Sequence, residues 1–106
     1  MSISTHVLDA VAGRPAAGLP VELSRRESGV WRELTGRVTD EDGRIADLAA
    51  TAEPGVYRLR FDVAAHFGTD TFYPEVVITF RIVDGKAHHH VPLLLSPYAY
   101  STYRGS

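Results

Sequence analysis

Pro74-Glu75-Val76-Val77-Ile78-Thr79-Phe80-Arg81-Ile82-Val83-Asp84-Gly85-Lys86-Ala87-His88-His89-His90-Val91-Pro92-Leu93-Leu94-Leu95 is the most informative stretch of this 106-residue chain. Val76, Ile78, Phe80 and Ile82 recur with period two, so they share one face of a strand with one side buried. Asp84-Gly85 then reads as a hairpin turn that returns the chain into a second strand, His88 to Leu95. In that strand His89 falls in line with Val91, Leu93 and Leu95, while His88 and His90 point to the opposite face. Any chemistry on this strand therefore belongs to His88 and His90, not to all three imidazoles.

The flanking sequence has the same character. Downstream, Ser96-Pro97 breaks the strand and Tyr98 to Arg104 forms a last one. Upstream, Tyr57, Leu59 and Phe61 alternate with Val56, Arg58 and Arg60 after a loop from Thr51 to Gly55. Residues 62–68 form the one helix candidate, with Asp62 as its N-cap and Gly68 as its stop. Ile3 to Asp9 is a first strand, closed by residues 12–15. Leu19, Val21 and Leu23 alternate in a second, which Glu27-Ser28-Gly29 turns into a third over Val30 to Val38. Residues 39–43 turn the chain again and leave Arg44 on a short strand. About eight short strands at such spacing, with one small helix, predict a single all-β sandwich domain over residues 1–106.

The totals narrow the function. A hydrophobic fraction of 44 % and a charged fraction of 23 % are those of an ordinary globule. With 11 basic and 13 acidic residues the net charge is -2, which offers no field for nucleic acid or an anionic membrane surface. Cysteine is absent, so neither disulfides nor thiolate chemistry enter. No apolar run approaches a membrane span, and Met1 to His6 lacks the features of a signal peptide, so a cytoplasmic location is expected.

The groups able to do chemistry lie at the two ends and in one turn. A neutral imidazole is a natural base for activating water, and His6 and His90 both qualify. A guanidinium such as Arg44 can hold an oxyanion or grip a planar, heteroatom-rich ligand. The closing Tyr103-Arg104-Gly105-Ser106 spends aromatic, cationic and hydroxyl groups where most chains fray, and Gly105 would let the backbone approach closely. Plainer readings stand beside these. His6 can be a satisfied strand histidine, His88 to His90 solvated residues after a turn, and Arg44 a surface arginine. His66 reads as structural. A bare His-x-His supports zinc weakly, without cysteine or a carboxylate pattern around it.

Ser4-Thr5-His6-Val7-Leu8-Asp9-Ala10 with Gly13-Arg14-Pro15-Ala16, and His90-Val91-Pro92-Leu93-Leu94-Leu95-Ser96-Pro97 running on through Tyr100-Ser101-Thr102-Tyr103-Arg104-Gly105-Ser106, resemble the opening and closing motifs of the transthyretin-like family. Residues 39–44, 55–57 and 73–76 fit between them. That family divides into thyroid-hormone carriers and 5-hydroxyisourate hydrolases, and the terminal Tyr-Arg-Gly-Ser resembles the hydrolase mark. The resemblance implies a sandwich of two four-stranded sheets, assembled as a homotetramer (a dimer of dimers) with pockets where dimers meet. It implies hydrolysis of 5-hydroxyisourate in urate degradation, with no cofactor or metal. His6, Arg44 and His90 fall at the positions of its catalytic residues, and Tyr103, Arg104, Gly105 and Ser106 at its substrate-binding end. Two rivals remain: a carrier of small ligands without catalysis, and a structural sandwich with incidental histidines.

Overall fold

The computed structural model describes residues 3–49 and 52–106, in which nine strands and one helical turn build two facing sheets. Thr51, the first residue of the expected loop, lies outside the described residues. The strands are β1 (Ile3–Asp9), β2 (Arg14–Pro15), β3 (Pro20–Glu27), β4 (Val30–Val38), β5 (Arg44–Ala49), β6 (Gly55–Asp62), β7 (Glu75–Ile82), β8 (His89–Ser96) and β9 (Ala99–Thr102); the helix is α1 (Ala64–Phe67).

One sheet runs β4-β3-β6-β7, antiparallel throughout. The other runs β2-β1-β8-β9, with β5 also paired to β1. It therefore has five strands where four were expected. The reason lies along one edge of β1, which takes β5 over its first residues and β2 over its last two. The hand-over falls at Val7, whose N–H donates to the Gly43 carbonyl at 2.7 Å and whose carbonyl accepts from Ala16 N at 2.9 Å. The sheet remains four strands wide.

Alternation decides what the sheets bury. Ile3, Val7, Leu93 and Leu95 from one sheet meet Val21, Leu23, Leu59, Phe61, Val76 and Ile82 from the other, all at 2 % exposure or less. Each such side chain contributes about 1.5–3 kcal/mol of burial. Val76 and Ile82 are buried, with Ile78 and Phe80 packed against the same core, as the period of two in β7 requires.

The hairpin expected at Asp84-Gly85 does not form. β7 is an edge strand of the antiparallel sheet, whereas β8 lies in the other sheet, parallel to β1 from Ile3↔His89 to Asp9↔Leu95. A two-residue hairpin turn needs a positive φ at one or both central positions. Ser28 (φ 52°) and Gly29 (φ 78°) meet that requirement and close the β3–β4 hairpin, but neither Asp84 nor Gly85 has a positive φ. Instead the Asp84 carboxylate accepts from Lys86 N at 2.9 Å and its carbonyl from Ala87 N at 3.2 Å, and the chain crosses between sheets. The helix begins one residue later than expected. Val63 is the N-cap, and Asp62 Oδ1 accepts from Ala65 N at 3.1 Å. Gly68 does end it, at φ 68°. No helix among the described residues is long and apolar enough to cross a membrane.

Candidate functional site

Because Ile3, Thr5 and Val7 point into the sandwich, Ser4 and His6 point to the outer face of their sheet. The two neighbours of β1 bring the other groups. Antiparallel β5 sets Arg44 opposite His6, and parallel β8 sets His90 opposite Ser4. His89 is buried with Val91, Leu93 and Leu95, which leaves His90 on the outer face as its parity demands. Residues 86 positions apart in sequence thus become cross-strand neighbours.

The turn before β5 is tightly determined. Asp40 Oδ1 accepts from Asp42 N (2.8 Å) and Arg44 N (2.9 Å), and the Asp40 carbonyl accepts from Gly43 N at 3.0 Å. Gly43 sits at φ 72°, and a Cβ there would collide with the Val7 carbonyl. The same turn aims the Asp42 carbonyl at His6, whose Nε2 donates to it at 2.9 Å. A carbonyl only accepts, so the His6 proton is on Nε2 and the neutral ring keeps its lone pair on Nδ1. The Arg44 guanidinium takes part in none of the ion pairs among the described residues.

The C-terminal residues close on His90. Gly105 N donates to the His90 carbonyl at 2.8 Å, and a Cβ on Gly105 would stand 2.5 Å from His90 Cδ2. Ser4, Arg44, His88, His90 and Ser106 line a cleft of about 270 Å³. Tyr103 and Arg104 do not join it. They border an adjoining cavity of about 290 Å³ with Phe80 and Arg81, and His90 is common to both. His6 stands beside Arg44 in register but is not among the residues lining either space.

His90 Nδ1 lies 2.7 Å from Ser4 Oγ, and among the described residues nothing bonds its Nε2. Partial burial, then the Arg44 guanidinium, and after it coupling to His6 and His88, push this imidazole below its ordinary value. It therefore stays neutral and able to accept a proton near pH 7, next to a guanidinium able to hold negative charge. Ser4 and the Asp42 carbonyl were not among the expected site residues, and His88 was expected on the chemical face of its strand but with no role assigned. Ser4 carries one faint signal in sequence, since it precedes His6 by two and so shares its face. His66, read as structural, bonds Asp9 Oδ2 through Nε2 at 2.7 Å, far from this cleft in sequence and on another element.

The sequence matches the family described as HIUase/Transthyretin over residues 3–105. A 5-hydroxyisourate hydrolase of Salmonella typhimurium is 45 % identical, covering 98 % of this chain and 80 % of its own. The structure of the Klebsiella pneumoniae 5-hydroxyisourate hydrolase superposes with a TM-score of 0.88 at 37 % identity, over 100 % of both chains. Sea bream transthyretin, in complex with thyroxine, superposes with a TM-score of 0.93 at 30 % identity, over 99 % of this chain and 95 % of that one. Backbone likeness thus embraces both hydrolase and carrier.

Proposed function

The chain belongs to the HIUase/transthyretin family, and from that premise we propose that it hydrolyses 5-hydroxyisourate in urate degradation and does so with His6, Arg44 and His90. The observation that carries the site assignment is the meeting of Arg44, His90 and Ser106 in one cleft, with His6 paired to Arg44 across β1 and β5.

The chemistry follows from the groups. His90, held neutral, takes a proton from water through Nε2. The resulting hydroxide adds to the ring carbonyl next to a ring nitrogen. Arg44 holds the oxyanion that forms, an interaction stronger in the transition state than with the neutral carbonyl. The C–N bond then breaks, the carbon leaves as a carboxylate, and a proton returns to the nitrogen. The product is 2-oxo-4-hydroxy-4-carboxy-5-ureidoimidazoline. His6, its tautomer set by Asp42 and its place fixed opposite Arg44, offers Nδ1 to a substrate that reaches past Arg44 at the edge of the cleft. Ser106 walls the cleft and Gly105 seats the His90 ring, while Tyr103 and Arg104 meet the substrate only where it reaches the adjoining cavity.

The assembly proposed is a homotetramer, a dimer of dimers. β7 and β9 end their sheets with unpaired edges, and Val38, Tyr98 and Tyr100 leave apolar area exposed for a partner. Sedimentation velocity should give about four times the 11.6 kDa chain mass. The bond broken is checked by running the reaction in oxygen-18 water. The label should enter the new carboxylate of the product, and its absence there would reject attack at the ring carbonyl.

A further inference from the structure

The Ser4 hydroxyl lies between two imidazole nitrogens, 2.7 Å from His90 Nδ1 and 2.8 Å from His88 Nε2. A hydroxyl has one proton, so it can donate to only one of them and must accept an N–H from the other. Two arrangements satisfy both contacts. In the first, His90 Nδ1–H donates to Ser4 and Ser4 donates to His88 Nε2, which leaves His90 Nε2 as a lone-pair base. In the second, His88 Nε2–H donates to Ser4 and Ser4 donates to His90 Nδ1, which leaves the neutral His90 with its proton on Nε2. A protonated His88 permits only the second arrangement, so protonation of His88 takes the Nε2 lone pair away from His90.

We propose that Ser4 is a positioning residue for His90 and that His88 is the outer end of a proton relay running through His90 Nδ1, Ser4 Oγ and His88 Nε2. This rests on the hydrolase reading above and adds the destination of the proton. As His90 Nε2 takes a proton from water, the Nδ1 proton passes to Ser4 Oγ and the hydroxyl's own proton passes to His88 Nε2. His90 ends neutral, His88 ends as an imidazolium, and the hydroxide is on the substrate carbonyl. The reverse path delivers the proton to the departing ring nitrogen.

Electrostatics favours this route over a charged His90. An imidazolium at His90 would be partly buried and close to Arg44 and His6, with Arg81 and Arg104 bordering the adjoining cavity. His88 is exposed, so water solvates the charge there. Ser4 itself is buried, which keeps solvent from competing for its hydroxyl.

The test is the pH dependence of kcat for Ser4→Ala, Ser4→Thr and His88→Gln, beside wild type. Ser4→Ala and His88→Gln should each lose about tenfold in kcat with little change in KM, a share of the ~100-fold or larger effect of a positioned base. Their acid limbs should move to lower pH, because His88 no longer switches His90 off and His90 keeps the depression that burial, Arg44 and His6 give it. Ser4→Thr restores the hydroxyl and should restore both rate and limb. Loss of rate with an unmoved acid limb, or wild-type behaviour in both variants, would overturn the relay. If Ser4→Ala fails to fold, the exposed His88→Gln decides alone. If wild type itself does not turn over, the hydrolase reading fails instead, and nitrogen-15 shifts of the His90 ring still judge the coupling. Its tautomer should switch as His88 titrates in wild type, and an unswitched tautomer would reject it.

Discussion

Gly105 lies against the ring of His90, its N–H bonded to the His90 carbonyl at 2.8 Å and its Cα so placed that a Cβ would stand 2.5 Å from Cδ2. The backbone of Gly105 has no positive φ, so alanine there meets no conformational penalty of its own, and the ring is what must move. Gly105→Ala should cost on the order of 100-fold in kcat, the effect of displacing a catalytic group by about 1 Å. Its melting curve should stay close to that of wild type. Steady-state kinetics and a thermal melt on the same preparation check both halves.

Asp40 organises the turn that carries the Asp42 carbonyl and Arg44. Asp40→Ala frees two backbone N–H groups and should lower stability by about 1 kcal/mol. The larger effect should be on rate, because His6 and Arg44 both lose their fixed positions. Asp40→Asn retains an Oδ1 acceptor and should behave nearly as wild type. Urea unfolding and turnover of the two variants, side by side, make the comparison.

His90 should titrate below an ordinary imidazole when followed by its ring carbon protons in nuclear magnetic resonance. Burial is the first cause and Arg44 the next. Arg44→Ala removes only the second, so the His90 titration should rise part of the way back. A titration unmoved by that substitution would separate the two side chains electrostatically.

The Asp9 carboxylate, 7 % exposed, accepts from Val11 N and Ala12 N at 2.9 Å each and from His66 Nε2 at 2.7 Å. Burial alone would raise its pKa, but the bonds from Ala12, His66 and Val11 outweigh burial and hold it below its ordinary value. A carboxylate depressed in the folded state stabilises the protein above its unfolded pKa. That contribution is lost as pH falls through the folded value. Asp9→Asn should therefore cost about 1 kcal/mol at neutral pH. The gap to wild type should close in strongly acid solution, as read from denaturation midpoints across pH.

Much of this was legible locally. Alternation alone separated His89, which is buried, from His90, which faces outward, and it identified the core face of β7. The close approach at Gly105 was foreseen from the residue type. What alternation cannot register is the pairing of distant strands. The parallel match of β1 with β8 places Ser4 on His90, and a period of two says nothing about which strand lies alongside which. Asp84-Gly85 misled for the same reason: its residues suit a tight turn, but turn chemistry does not report whether the next strand stays in the sheet. The His66 contact to Asp9 joins a helix to a strand end and left no mark in either neighbourhood. The division of the C-terminal residues between two spaces, Ser106 in one and Tyr103 with Arg104 in the other, also follows only from the path of the chain past His90.

The most direct test follows the ultraviolet absorbance of 5-hydroxyisourate generated in situ from urate by urate oxidase, against its unaided decay. Wild-type protein should accelerate that decay. His90→Ala and Arg44→Ala, each lacking a group that acts in the transition state, should lose about 100-fold or more of the acceleration. Decay at the protein-free rate with wild type would contradict the hydrolase itself, and wild-type rates in both variants would contradict the site.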